Sequence, residues 1–349
     1  MSDSSKNRKG HSSGSSSQDR QGNHPGPSSG SSLVVPVRPR REVRESRSPS
    51  SNPSGLGPRS SSTHRVDPSR VAQTAVSFPP HLPFPPTILE SFNHPLPHYE
   101  GGNSLSVRKP HDSGSLSSKT EPPRFCLPPK TTPSGEKGAR IVNDRFGSLR
   151  HLQGEFIYKP EAASRLLSEG DLTHATALYL LHPINQVLSA LRPGTKCLAQ
   201  HPGKSIRTDV CYKNATSTLA VIELKARGTI CISEFKDTLR EIDKDEKIAK
   251  KQMDEYNGEA IVNGGTLFDE NSLPLIKQAS NYALAEATRY VALFDWNCLV
   301  LITFNIDTTK SLKARRDATV GDYCHLEIIL ESHEMRKALL GFLCRAHNL

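Results

Sequence analysis

The clearest pattern in the chain lies between residues 205 and 228, where apolar and polar residues follow the period of β-strands. Residues 218–224 are mostly β-branched and apolar, and a polar stretch around Asn214 separates them from an earlier run. β-Branched residues favour strands, and asparagine favours turns. This stretch therefore predicts two neighbouring strands joined by a short turn.

The second of these strands carries charged side chains on one face. Side chains in a strand alternate between the two faces of a sheet. Glu223 and Lys225 therefore share a face with Val221, while Ile222 and Leu224 point to the other face and into the predicted core. An acid-x-lysine triplet of this kind is also common on strands that simply face solvent.

A helical pattern precedes the two strands. Ser168 and Asp171 lie three positions apart, which is the spacing of a capping box in an acidic variant. Apolar residues at helical spacing follow and predict a helix over residues 169–191. Pro183 lies within this range, and we expect it to kink or divide the helix because proline lacks a backbone N–H.

The rest of the chain continues as an alternation of strands and helices. The predicted elements are a short strand at 230–232, a helical segment within 234–256, a helix at 273–289 capped by Ser272, strands at 290–294, 298–304 and 323–330, and a C-terminal helix capped by Ser332. This order predicts an α/β domain with a mixed central sheet flanked by helices.

Residues 1–135 have a different composition from the rest of the chain. They hold 21 of the 26 prolines and carry 17 basic against 9 acidic residues, whereas residues 136–349 carry 28 against 27. A segment with so little apolar surface cannot offset the entropy lost on ordering. The sequence therefore predicts a long disordered Ser/Pro/Arg-rich region over residues 1–135 and one folded domain over residues 136–349.

Two segments of this N-terminal region are candidates for protein partners or phosphate groups. Arg38–Arg47 is a basic cluster followed by Ser-Pro, and it fits a nuclear-import signal, a nonspecific phosphate-binding segment or a solvated linker. Phe78–Pro97 is proline-rich with interleaved aromatic residues, which fits either a polyproline II ligand for a partner or a plain linker. The proline-rich segment leads us to expect binding of protein partners. The basic cluster leads us to expect an intracellular protein that is either nuclear or not, depending on whether the cluster is an import signal.

Cysteine usage and hydropathy favour an intracellular protein. The seven cysteines are scattered and form no CxxC pair, which argues against a disulfide framework and against a zinc site. The N-terminal residues are polar, and a signal peptide is not expected. The longest apolar run, residues 290–304, is interrupted by Asp295 and Asn297 and is too short to span a membrane.

Asp209, Glu223 and Lys225 are the candidate catalytic residues. Asp209 lies on the first of the two neighbouring strands, and the other two lie on the second. Two carboxylates suit a hard cation such as Mg²⁺ or Mn²⁺, because these ions prefer oxygen ligands. A lysine beside the ion could orient or deprotonate an attacking water.

This pattern resembles the PD-(D/E)xK nuclease-like superfamily. Thirteen residues separate Asp209 from the Glu223-Leu224-Lys225 triplet, and Thr208 stands where the family has its proline. The resemblance covers the predicted domain and implies a restriction-endonuclease-like fold. It also implies that Asp209 and Glu223 bind the metal and that Lys225 assists hydrolysis of phosphodiester bonds in DNA.

The same resemblance extends to two helices. A Gln-x-x-x-Tyr pair after the acid-x-lysine strand resembles the RecB-type branch, which implies that Gln278 and Tyr282 help to hold substrate. Tyr282 could instead pack on the sheet with its hydroxyl satisfied. A glutamate on the first helix often joins the metal site in this family, and Glu169 is the best placed candidate, with Glu161 behind it. Alternatively, Glu169 only stabilises the helix N-terminus.

A second class of function is compatible with the same sequence. The net charge of residues 136–349 is close to zero, so charge gives no independent support for nucleic-acid binding. Basic residues in the predicted loop 307–322 fit either phosphate contacts or a solvated loop. These residues are Lys310, Lys313, Arg315 and Arg316. The competing hypothesis is therefore a catalytically inactive scaffold whose N-terminal region recruits partners.

Overall fold

A mixed β-sheet organises the protein. The computed structural model describes residues 87–99, 120–145, 147–155, 166, 168–202, 207–311, 314 and 320–349. Within these residues, seven strands form one sheet in the order β1-β7-β6-β5-β4-β3-β2. The strands are β1 Phe125–Leu127, β2 Lys196–Pro202, β3 Arg207–Lys213, β4 Thr218–Leu224, β5 Tyr290–Phe294, β6 Leu299–Phe304 and β7 Tyr323–Ile329.

Most neighbouring strands are antiparallel, as expected when short turns join them. The β4–β5 and β1–β7 pairs are parallel, and the other pairs are antiparallel. Parallel neighbours need a long crossover connection, and the helical segment between β4 and β5 provides it. The mixed sheet and the predicted turn between the two strands around residues 290–304 are confirmed.

Helices cover both faces of the sheet. They are α1 Ile88–Ser91, α2 Ser134–Asp144, α3 Glu169–Thr176, α4 His182–Leu191, α5 Ile232–Asp237, α6 Glu246–Val262, α7 Ser272–Glu286 and α8 Met335–Ala346. Buried residues of α1, α3, α4 and α8 form one apolar cluster with the sheet, and those of α5 and α7 form a second cluster. The predicted flanking by helices is confirmed. Across the described segments, no helix is long and apolar enough to cross a membrane.

The predicted capping box begins α3. The Asp171 backbone N–H donates to Ser168 Oγ at 3.1 Å, and the Ser168 N–H donates back to Asp171 Oδ2 at 3.0 Å. The two bonds satisfy backbone donors that a helix N-terminus leaves open.

Pro183 neither ends the helix nor divides it. A π-helical segment, Ala177–Leu181, joins α3 directly to α4. Proline has no N–H to donate to the carbonyl four residues earlier, which is that of Tyr179. Arg336 of α8 reaches this carbonyl instead, with Nε 2.6 Å from the oxygen. The predicted helix over residues 169–191 is therefore continuous.

The segment after β4 differs from the prediction. Residues 230–232 do not continue the sheet, because the Gly228 and Ile230 N–H groups donate to Asp295 Oδ2. Helix α5 then begins at Ile232, and the predicted helical segment within 234–256 is divided between α5 and α6. A side chain distant in sequence thus redirects the backbone.

Two predicted helix caps also differ. Ser272 is the first residue of α7, whose N-cap is Asn271, and its Oγ donates to the Asp269 carbonyl at 2.8 Å. Helix α8 has Glu334 as its N-cap and not Ser332. Both helices exist as predicted, and the shifts affect only their first turns.

The packed region includes residues that were assigned to the disordered region. Ile88 and Phe92 of the 87–99 segment are completely buried, and β1 pairs with β7. The boundary at residue 135 must therefore be corrected for residues 87–99 and 120–135. Arg38–Arg47 and the first part of Phe78–Pro97 lie outside the described residues.

Candidate active site

Strands β3 and β4 bring the two predicted acids together. The register pairs Val210 with Ile222, so Asp209 and Glu223 lie on adjacent antiparallel strands just beyond this pair. Asp209 Oδ2 accepts a hydrogen bond from the Leu224 N–H at 2.9 Å. The Asp209 carboxylate is therefore anchored beside Glu223 by the backbone of the neighbouring strand.

Glu223 is the centre of a small polar network. Its side chain is almost fully buried, with 4% of the residue exposed. Glu223 Oε1 accepts from Lys225 Nζ at 2.7 Å and from Gln278 Nε2 at 2.6 Å. Gln278 Nε2 also lies 2.8 Å from the Tyr282 hydroxyl. The network joins four of the predicted site residues, with Lys225 and Gln278 on one carboxylate oxygen and Tyr282 attached through Gln278.

Helix α7 covers Glu223. Residues four apart on a helix lie on the same face, and this places Gln278 and Tyr282 together above β4. Ala279 and Ala283 of the same helix are completely buried in the apolar cluster that contains Val221. The small alanines allow α7 to pack on the sheet, and the polar pair therefore lies in a largely water-excluded region.

Burial dominates the electrostatics of the site. It raises the pKa of Glu223 to about 7, the positive charge of Lys225 opposes this rise, and the negative charge of Asp209 adds to it. Burial also raises the pKa of Tyr282, and the charge of Glu223 raises it further. Near neutral pH, Glu223 therefore exchanges a proton readily, whereas Tyr282 stays an uncharged hydrogen-bonding phenol.

One oxygen of Glu223 lacks a hydrogen bond of normal geometry. Glu223 Oε2 is buried without such a bond, which is costly for a carboxylate oxygen, although the Tyr282 hydroxyl is near enough to lower the pKa of Glu223. The Asp209 carboxylate is also near enough to affect this pKa, and the two carboxylates together are a donor set that suits a hard divalent cation. The described residues contain no cluster of three or more His, Cys, Asp or Glu side chains arranged for a metal. Mg²⁺ retains several waters and takes only one or two protein carboxylates, so the acid pair fits it.

Glu169 lies apart from this network. It is exposed in the first turn of α3, and Leu172 of α3 packs in the apolar cluster on the sheet face opposite α7. The described contacts of Glu223 do not include Glu169. Its position favours the alternative in which the carboxylate stabilises the helix N-terminus. Participation of Glu169 in a metal site stays a prediction.

Other predicted residues are only partly described. Lys310 is exposed in the loop after β6. Glu161, Lys313, Arg315 and Arg316 lie outside the described residues.

Asp295 was not predicted to have a role near the site. It was assigned only to the turn between two apolar strands, but it is fully buried and accepts hydrogen bonds from four backbone N–H groups. An acid between two apolar runs was the available signal. Its partners after β4 could not be identified without the fold.

Comparisons with known proteins add no assignment. No protein-family model matches the chain, and neither a curated protein nor a solved structure matches it. The functional argument therefore rests on the geometry of the residues.

Proposed function

We propose that this domain is a divalent-metal-dependent nuclease of the PD-(D/E)xK type, with a restriction-endonuclease-like fold, that hydrolyses phosphodiester bonds in DNA. The observation that carries the proposal is the different hydrogen bonding of the two Glu223 oxygens. Its Oε1 is bound by Lys225 and Gln278, its Oε2 makes no hydrogen bond, and the Asp209 carboxylate is near enough to raise its pKa. A purely structural ion pair would not require a second acid and an unsatisfied oxygen at the same place.

Asp209 and Glu223 would hold the cation, either Mg²⁺ or Mn²⁺. When bound, such an ion supplies Lewis-acid stabilisation of the phosphate and lowers the pKa of a coordinated water. Glu223 must be ionised to bind it, and Lys225 favours the ionised form through its hydrogen bond and charge.

Lys225 is suited to act on the attacking water. Lys225 directly follows β4 on the same face as Glu223, and its ammonium is held 2.7 Å from Glu223 Oε1. From this position it can orient a water or stabilise negative charge on the phosphate. Gln278 restrains Glu223 and contacts the Tyr282 hydroxyl, and this pair would help to hold substrate near the acids.

The scaffold alternative also has an observation in its favour. Lys225 and Glu223 form a short ion pair in which each charge is compensated without any ligand. Such a pair can persist in a domain that has lost catalysis and binds partners through its N-terminal region. Titration with Mg²⁺ distinguishes the two functions, because the scaffold needs no cation.

The test is cleavage of plasmid DNA in the presence of Mg²⁺ or Mn²⁺. We expect Glu223→Gln and Lys225→Ala to lower the cleavage rate by about 100-fold or more. The matched controls are Glu259→Gln and Lys251→Ala, because both residues lie on α6 in exposed ion pairs. Controls at the wild-type rate, with both site variants inactive, would support the nuclease.

Calorimetric titration with Mg²⁺ completes this test. If the protein is a nuclease, Mg²⁺ should give a binding heat that Asp209→Asn abolishes. The control Asp254→Asn should retain this heat, because Asp254 is exposed on α6. Cleavage that survives in Glu223→Gln would contradict the site assignment. No heat and no cleavage in the wild-type protein would favour the scaffold.

A further inference from the structure

The turn between β5 and β6 holds the chain that leaves the candidate active site. Asp295, the first residue of this turn, is completely buried. Its Oδ2 accepts from the N–H groups of Gly228 and Ile230 at 3.1 and 3.0 Å. Its Oδ1 accepts from those of Asn297 and Cys298, both at 3.1 Å. One carboxylate therefore ties the end of β4 to the turn.

A second set of bonds acts directly next to Lys225. The Lys225 N–H donates to the Phe294 carbonyl at 2.9 Å, which extends the β4–β5 pairing by one residue. Two positions later, Arg227 Nε donates to Asn297 Oδ1 at 2.8 Å, and Arg227 Nη1 donates to the Tyr99 carbonyl at 2.9 Å. The backbone is thus fixed before and after Ala226, the residue that follows Lys225.

Trp296 connects the same turn to the segment 87–99. Its Nε1 donates to the Pro97 carbonyl at 3.1 Å, and its ring meets that of Tyr99 edge-on, with centroids 5.1 Å apart. The φ angle of Trp296 is +74°, a left-handed conformation that is unfavourable for a bulky residue. Such a conformation persists only where its surroundings determine it, and it is concentrated at functional sites.

We propose that Arg227 and Asp295 are positioning residues that hold Lys225 against Glu223, and that Pro97–Tyr99 complete this clamp from the N-terminal side. The reason lies in the length of the lysine side chain. Its ammonium reaches Glu223 only while its backbone stays in the sheet, and β4 ends at Leu224. Without the clamp, the free rotation of a lysine side chain would carry the ammonium into solvent.

The expected effect on kcat rests on the proposed function, whereas the spectroscopic measurements of the clamp do not depend on catalysis. Trp296 is the one tryptophan of the sequence, so its fluorescence reports the turn alone. The bond from the Lys225 ammonium to Glu223 Oε1, 2.7 Å long, reports the position of Lys225. Hydrogen-bonded ammonium protons exchange slowly with water, so the ¹H–¹⁵N resonance of the Lys225 ammonium follows this bond in the full chain.

The decisive variant is Arg227→Ala, with Arg240→Ala as its control. Arg240 also donates to a side chain, that of Glu259 on α6, and to backbone carbonyls, those of Asp237 and Leu239. We expect Arg227→Ala to abolish the slowly exchanging resonance of the Lys225 ammonium, to shift Trp296 emission to longer wavelength, and to lower kcat about 10-fold with little change in KM. Arg240→Ala should change none of these.

Two milder variants cover the case in which Arg227→Ala does not fold. Arg227→Lys keeps the charge but cannot make both bonds, and we expect partial recovery of the Lys225 ammonium resonance. Tyr99→Ala removes the ring from Trp296, and we expect the emission shift with a smaller effect on the Lys225 resonance. A Lys225 resonance in the folded Arg227 variants that exchanges as slowly as in the wild type would overturn the proposal. If the wild-type protein cleaves no DNA but Arg227→Ala still loses the Lys225 resonance, the nuclease is overturned and the clamp stands.

Discussion

At the scale of single residues, Glu223 shows how burial conflicts with the ionisation of a carboxyl group. A carboxylate under α7 loses hydration, and the bonds from Lys225 and Gln278 replace this hydration at only one oxygen. The fold therefore favours the protonated acid unless another positive charge is present. An ionised Glu223 with an unbonded oxygen costs stability, and a cation bound there would offset this cost.

The raised pKa of Glu223 predicts a pH dependence of stability. Its folded pKa of about 7 lies above the ordinary value of 4.5, so the folded state binds the proton more tightly than the unfolded state. This contribution is fully present below about pH 4.5 and is lost as the pH rises through about 7. We expect the free energy of unfolding to fall by about 3 kcal/mol across this window when divalent ions are chelated.

The measurement is urea unfolding of wild type, Glu223→Gln and Glu259→Gln between pH 4.5 and 8. Glutamine does not titrate, so Glu223→Gln should lose this part of the slope. Glu259 is a partly exposed surface acid, and its variant should keep the wild-type slope. Equal slopes in all three proteins would show that Glu223 does not titrate as described.

Addition of the cation should reverse this loss. A ligand that binds only the folded state stabilises it by about 3 kcal/mol at 100 times its Kd. We expect Mg²⁺ at pH 7.5 to raise the Tm of the wild-type protein, with little change in Asp209→Asn. A Tm that is insensitive to Mg²⁺ in both proteins would argue against the acid pair as a cation site.

At the scale of elements, the position of α8 depends on two glycines. Helices α2 and α8 cross where Gly138 faces the Lys337 carbonyl and Gly341 faces the Ser134 carbonyl. A Cβ atom on either glycine would overlap backbone atoms of the other helix, which cannot move aside as a flexible side chain can. This close approach brings α8 onto the sheet and delivers Arg336 to its carbonyl partners.

Gly341→Ala should therefore destabilise the protein. We expect a loss of about 2 kcal/mol or more, because overpacking forces the two backbones apart. Gly258→Ala on α6 is the matched control, since nothing lies within 4 Å of its added Cβ. The control should be neutral or gain about 0.5–1 kcal/mol from higher helix propensity. Equal unfolding midpoints for the two variants would refute the tight crossing.

At the scale of the whole molecule, Arg336 joins parts of the chain that are distant in sequence. It is completely buried and donates to the carbonyls of Tyr179, Ser91 and His94. These bonds link α8 to the π-helical segment and to the segment 87–99. The same segment reaches the β5–β6 turn through Pro97 and Tyr99, so it connects the core to the clamp around Lys225.

Arg336→Met tests this connection. Methionine fills a similar volume but removes the guanidinium bonds to three carbonyls, of which that of Ser91 keeps a bond from the His94 N–H, and we expect a loss of about 3 kcal/mol or more in the free energy of unfolding. The exposed Arg145→Met is the control and should change stability by less than about 0.5 kcal/mol. Urea unfolding followed by Trp296 fluorescence measures both. A midpoint for Arg336→Met equal to that of the control would contradict the linking role.

Parts of the candidate site could be predicted where the interacting residues are close in sequence, and could not where they are far apart. Local periodicity was sufficient for β3, β4 and α7, because strand alternation places Glu223 and Lys225 together and helical spacing places Gln278 beside Tyr282. The strand predicted at 230–232 was wrong, since the bonds of this segment go to Asp295, which lies far along the chain. Residues 87–99 were assigned to a disordered region because their proline content hides a short buried apolar stretch.

The sequence by itself determined the mixed α/β class, the main strands and helices, the capping box of α3 and the identity of the acid-x-lysine triplet. These features depend on backbone preferences and on side-chain periods of two and 3.6 residues, which act over a few positions. Only the tertiary structure decided that Asp209 lies beside Glu223, that Glu223 Oε2 makes no hydrogen bond, and that Arg227, Asp295 and residues 97–99 surround the exit of β4. These contacts join residues that are distant in the chain, and their existence depends on which faces the packed elements present to one another.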